Sequence, residues 1–196
     1  MNPGRAVRSA LLTMMAIVLA ATGCGRDPMS PANPEATPAS LNATVHTVTA
    51  WTGDTAPPTT PFTATTRSVT YDAATGHVII TATDLGFPGG ARLDIEFDWT
   101  GPGAYELRGP AAGTGRATFA SPNLGTFRPT SQHGGWIYVS KLDPAGRHIR
   151  ADFGFGAEDV SDAGRDIIVS GGRLDSPLVV LGPATPPLPA IGNATR

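Results

Sequence analysis

Residues 91–99 read Ala-Arg-Leu-Asp-Ile-Glu-Phe-Asp-Trp, and this stretch restricts the fold more than any other. Leu93, Ile95, Phe97 and Trp99 alternate one for one with Asp94, Glu96 and Asp98. A strand turns successive side chains to opposite faces, so the apolar set points one way and the acidic set the other. A helix would smear both sets around its circumference. One buried and one wet face is the pattern of an antiparallel sheet.

Short apolar runs separated by turn formers extend this pattern. The chain carries 24 Gly and 19 Pro. The prediction is an all-β protein, an antiparallel β-sandwich of about nine strands. Residues 44–51 and 62–71 are Thr-rich strand candidates. Between them, Thr-Ala-Pro-Pro-Thr-Thr-Pro (55–61) reads as a loop, because proline interrupts a hydrogen-bonded ladder. Residues 77–83 form a β-branched run, and shorter strands are expected at 104–108, 114–120 and 126–131. Residues 135–142 and 147–155 form a hairpin through Asp143-Pro144-Ala145-Gly146, which has good turn chemistry. In its second strand Ile149, Ala151, Phe153 and Phe155 face in, while His148, Arg150 and Asp152 face out. Residues 166–174 close the set, after an acidic connection (156–165) with room for a helical turn.

The N-terminus has a different character. Arg5 and Arg8 precede an apolar stretch from Ala10 to Ala21, interrupted only by Thr13, and small residues follow. This is the layout of a secretory signal. Twelve helical residues span about 18 Å, against about 30 Å of bilayer hydrocarbon, so the stretch is too short to serve as a membrane span. Ala21-Thr22-Gly23-Cys24 resembles the bacterial lipobox, with Ala21 where that motif usually has Leu. The resemblance implies a signal peptide over residues 1–23 and lipidation of Cys24, which anchors the mature chain to a membrane. Cys24 is the only cysteine, so in an oxidising compartment it has no partner within the chain. Two or more acyl chains anchor stably where one does not.

The expected organisation is a signal peptide (1–23), the lipidated Cys24 with a flexible tether (24–40), a β-sandwich domain (41–175) and a Pro-rich tail (176–196). The tether contains four prolines and hardly any large apolar residue. In the tail, Leu178-Val179-Val180-Leu181 is the one run able to add an edge strand. The formal charge is −2; removing Arg5 and Arg8 leaves 12 basic against 16 acidic side chains, or −4. An acidic balance argues against a nucleic-acid partner. A monomer in the cell envelope is expected. If the host has two membranes, Gly25 after the cysteine favours the outer one.

The order of the strand motifs resembles a family of small bacterial lipoproteins with a domain of unknown function, best known from Bacteroidota. Trp51, Gly103-Ala104-Tyr105-Glu106-Leu107, residues 134–143 (GGWIYVSKLD), Ile149-Arg150-Ala151-Asp152-Phe153-Gly154-Phe155 and Gly172-Arg173-Leu174 carry the likeness. Ala151-Asp152 stands near the family's glycine, and Leu174 replaces its final aromatic. The resemblance implies a β-sandwich-like secreted domain and transfers no catalytic residue.

Candidate chemistry is sparse. His46, His77, His133 and His148 lack metal-ligand spacing; His46 and His148 read as wet-face residues, His77 and His133 as turn residues. Asp94, Glu96 and Asp98 recur about 7 Å apart along a strand, which spreads carboxylates rather than converging them on a cation; Arg150 or Arg116 would be their cross-strand partners. Glu158, Asp159, Asp162 and Asp166 fall in an expected loop; a loop can wrap a calcium ion, but the spacing lacks the EF-hand pattern and reads as an ordinary solvated loop. No Gly-x-Ser-x-Gly or phosphate-cradling glycine loop occurs. Trp99 belongs to a buried series, and Trp136 and Tyr138 share a face with Leu142, which reads as core.

No catalytic residue, metal site or cofactor is assigned. The leading expectation is a membrane-anchored envelope lipoprotein with a non-enzymatic binding or structural domain, recognising a protein or carbohydrate through loops such as 52–61 and 157–165. The alternatives are a carbohydrate-binding module and an unrecognised hydrolase. Exposed Trp or Tyr clustered on one face would favour the first. A deep cleft with converging histidine and carboxylates would favour the second.

Overall fold

The structure is a computed structural model that describes residues 39–49, 58–108 and 115–182. Cys24, the signal, the tether as far as residue 38, Trp51, most of the 52–61 loop and the tail beyond residue 182 lie outside the described residues; Ser40, expected in the tether, already belongs to the first strand. Among the described residues the fold is all-β, with no helix.

The described residues form twelve strands rather than about nine: β1 (Ser40–Thr49), β2 (Thr59–Thr63), β3 (Thr66–Asp72), β4 (His77–Asp84), β5 (Ala91–Asp98), β6 (Gly103–Leu107), β7 (Arg116–Ser121), β8 (Gly125–Arg128), β9 (Gly135–Asp143), β10 (His148–Asp159), β11 (Arg165–Pro177) and β12 (Val179–Leu181). They form one hydrogen-bonded sheet in the order β12-β3-β4-β5-β7-β8-β10-β11-β1-β2, with β9 also on β10 and β6 on β9. All named pairs are antiparallel except β12 with β3. The hydrogen-bonded path is continuous rather than divided between two separate sheets. β2 and β3 stand near its opposite ends yet are separated by only Ala64 and Thr65, so the sheet curls back on itself.

Three sequence readings change. The single strand expected over 62–71 is two, because its partner switches: Ala64 N–H donates to Leu41 O of β1 and Thr65 N–H to Thr83 O of β4. Pro61, expected in a loop, sits in β2 opposite Thr44. β2 ends the path, where a proline's missing N–H costs no ladder bond. The acidic connection holds no helical turn, because β10 runs to Asp159 and β11 begins at Arg165.

The folded body also passes residue 175. β11 continues to Pro177, Leu178 is buried, and β12 pairs with β3 through Val179–Thr70 to Leu181–Asp72. The inward alternation of Leu174 and Ser176 brings the chain back over the core, and Leu178 N–H donates to Arg147 O.

The inner face makes one core. Leu93, Ile95 and Phe97 of β5 are buried, as are Ile149, Ala151, Phe153 and Phe155 of β10. Phe62, Phe87 and Phe119 meet with ring centroids 5.6–6.5 Å apart, Phe119 meeting each of the others edge-on. Such pairs add about 0.5–1.5 kcal/mol beyond area burial. Trp99 lies at the rim, half-buried against Tyr105.

Bulges decide which side chains reach the surface. Gly171, at φ +59°, gives β11 an extra residue against both neighbours: Phe153 faces Gly172 and Phe155 faces Val169. The left-handed conformation favours glycine there. On β9, Arg150 faces Lys141 while Ala151 faces Val139, which leaves Ser140 as the extra residue.

Candidate functional site

The bulge at Ser140 inverts the expected reading of β9. Ile137 and Val139 are fully buried, and after the extra residue the inward parity passes to Leu142, which packs against the core. Trp136 and Tyr138, expected in the core with Leu142, therefore point outward. They are 49% and 46% exposed. Two residues apart on one strand face, they stand about 7 Å apart along the chain.

Their surroundings leave the rings accessible. Trp136 lies opposite Glu106 of β6 and Gly154 of β10; Tyr138 lies opposite Ala104 and Asp152. The outward positions of β10 continue as Gly154 and Gly156, without side chains. An open trough of about 540 Å³ results, lined by Trp136, Gly154, Gly156, Ile168, Gly171 and Arg173 among others. Gly135 fixes the approach of β9 to β10: a Cβ there would stand 2.2 Å from Gly154 O and 2.3 Å from Phe155 Cβ. Ile168 is also exposed, and Arg173 stands 3.9 Å from Asp152.

A second concavity lies where the sheet forks. β7 meets β6 at one end through the Leu107–Gly115 bridge and β8 at the other. Likewise β10 pairs with β9 along most of its length and with β8 only at Glu158 and Asp159. Between the splayed ends is a cleft of about 320 Å³ lined by Asp94, Glu96, Arg108, Arg116, Thr118 and Arg128, with Ala117 and Pro129. Arg92 holds Asp94 with two hydrogen bonds of 2.7 and 2.9 Å, and Thr81 Oγ1 donates a third at 2.9 Å. Arg108 pairs with Glu106 at 2.9 Å. Arg116 and Arg128 have no ion-pair partner among the described residues. The lining carries carboxylates and arginines but no histidine.

The remaining candidates disperse. His46 Nε2 meets Ser170 Oγ at 2.8 Å, His77 Nδ1 meets Asp98 at 2.8 Å, and His133 stands 3.6 Å from Asp166. His148 Nε2 lies 2.6 Å from Asp175, which also accepts from Arg150 at 2.7 Å. Burial pushes the Asp175 carboxyl up, but the hydrogen bonds from Arg150 and His148 outweigh it and hold it below the usual carboxylate range. In the acidic connection, Asp159 turns inward and is buried. It accepts from Ser161 N–H and Oγ and pairs with Arg165 at 3.3 Å. The Ser161 N–H above all keeps its carboxyl below the usual range. Glu158 and Asp166 sit opposite each other on paired strands. No group of three metal-ligating side chains converges among the described residues.

Sequence reasoning missed both surfaces. It placed Trp136 and Tyr138 inside, and it took Arg116 only as a cross-strand neighbour of the β5 carboxylates, where the register does set it opposite Glu96; Arg150, expected in the same role, pairs with Asp175 instead. Comparison with protein-family models, with curated proteins and with solved structures gives no match for this chain.

Proposed function

We propose that this protein is a cell-envelope lipoprotein, anchored through Cys24, whose β-domain is a non-enzymatic binding module, and that its ligand is a carbohydrate held on the outward face of β9. The exposure of Trp136 and Tyr138 on one strand face carries the reading. Half-exposed aromatics are costly to leave in water, and a flat apolar ring face suits the C–H face of a sugar ring. The glycine floor beside Trp136 leaves room for a ring to lie close to the backbone. Asp152 and Arg173 at the margin supply an acceptor and donors for hydroxyl groups.

The anchor accounts for the lone cysteine and the short apolar stretch before it. Metabolic labelling tests it: the wild-type chain takes up radiolabelled palmitate and enters the detergent phase, whereas Cys24→Ser does neither. Equal labelling of the two would refute the anchor. A thermal-shift screen of neutral oligosaccharides tests the binding reading. The expected result is a rise in midpoint that grows with ligand concentration, as binding to the native state requires. Turnover of any oligosaccharide would overturn the non-enzymatic reading.

A further inference from the structure

We propose that the cleft at the fork of the sheet binds a phosphate group carried on a hydroxylated ligand, such as a sugar or polyol phosphate. This goes beyond the reading of the aromatic face and stands without it. The cleft gathers three guanidinium groups from three separate elements: Arg108 after β6, Arg116 on β7 and Arg128 on β8. Glu106 already holds Arg108 at 2.9 Å, whereas Arg116 and Arg128 have no ion-pair partner among the described residues. An anion in the cleft would supply these two guanidinium groups with charge-assisted hydrogen bonds.

The arrangement selects among anions. A carboxylate is planar, and one bidentate arginine satisfies it; a tetrahedral phosphate presents oxygens in three dimensions to donors from several sides. On β5, Glu96 stands directly across the ladder from Arg116 and Asp94 across from Thr118, so a second phosphate there would be repelled but a hydroxyl could donate. Asp94 is already held by Arg92 and Thr81, while Glu96 has no hydrogen-bond partner among the described residues. Glu96 is therefore the acceptor for a hydroxyl next to the phosphate. The cleft, at about 320 Å³, has the size of a small-molecule site.

Titration calorimetry on the full chain, purified from membranes in a non-ionic detergent, tests the assignment with glycerol 1-phosphate, inorganic phosphate, glycerol and short-chain phosphatidylglycerol. Glycerol 1-phosphate is expected to bind best, inorganic phosphate less well and glycerol not at all. Arg116→Gln and Arg128→Gln should each weaken glycerol 1-phosphate by about tenfold, the loss of one charge-assisted hydrogen bond. Arg147→Asn removes one positive charge from a distant turn and should leave affinity unchanged. The two cleft variants are independent, and the unfolding midpoint of each shows whether it folds. The proposal is overturned by no heat of binding at millimolar phosphates, by equal weakening in Arg147→Asn, or by tighter binding of the phosphatidylglycerol.

Discussion

β5 and β9 carry the same alternating signal, and the fold uses it in different ways. On β5 the ladder to β4 is unbroken from Asp84–Ala91 to His77–Asp98, and the sequence parity holds throughout: Leu93, Ile95 and Phe97 go in, Asp94, Glu96 and Asp98 go out. On β9 the extra residue at Ser140 shifts the parity in mid-strand. The apolar-looking set of Trp136, Tyr138 and Leu142 is split, its first two members facing water and its third facing the core. A one-residue slip moves every side chain beyond it to the other face. An unbroken ladder reports what the core needs, and a bulge is where surface chemistry can be placed on a strand whose other face is still core.

The sharpest way to break this comparison is to truncate the inward sets. Phe97→Ala on β5 and Phe153→Ala on β10 should each cost about 3–5 kcal/mol, the range for a buried Phe, read by denaturant unfolding. On β9, Ile137→Ala should cost about 2–5 kcal/mol, while the much larger truncation Trp136→Ala should cost under about 1 kcal/mol, because the ring is half in water. The reverse order would restore the original parity and remove the bulge from the account.

A smaller effect probes the surface pairs. The carboxyl of Asp175 is held below its ordinary value in the folded state, against about 3.9 in an unfolded chain. The stability it contributes is present above the unfolded value and is lost as pH falls through the lower folded one. Arg150→Ala should flatten that acid limb and cost about 1 kcal/mol or less at neutral pH, since Arg150 is largely exposed. An acid limb as steep as that of the wild type would contradict the assignment. The smallest change is expected on the outer face of β5: Glu96→Gln should shift stability by less than about 0.5 kcal/mol.

What the sequence made legible follows from the same contrast. The all-β class, the two faces of β5, the inward set of β10 and the hairpin turn at Asp143–Gly146 are local patterns, and Gly146 N–H donates to Asp143 there at 2.8 Å. The number of strands was less legible, since a run such as 59–72 serves two partners and changes partner at Ala64, which only tertiary pairing reveals. The end of the folded body depended on Leu178 returning to the core. The arginine cleft had no local signature at all, because Arg108, Arg116 and Arg128 come from three separate segments that line one cleft only in the folded sheet. For the aromatic face, the glycines at 154 and 156 were visible as small residues on the outward side of β10, but their neighbour Trp136 had been assigned to the wrong side.

The central claim is that the outward face of β9 is a binding surface rather than structural padding. The most direct measurement is calorimetric titration of wild type, Trp136→Ala and Tyr138→Ala with the oligosaccharide giving the largest thermal shift, alongside the unfolding midpoint of each. The account predicts that each substitution weakens binding by at least about tenfold, near 1.4 kcal/mol, while the midpoint stays close to that of the wild type. Unchanged affinity in both variants, or a loss of binding matched by a loss of stability, would contradict it.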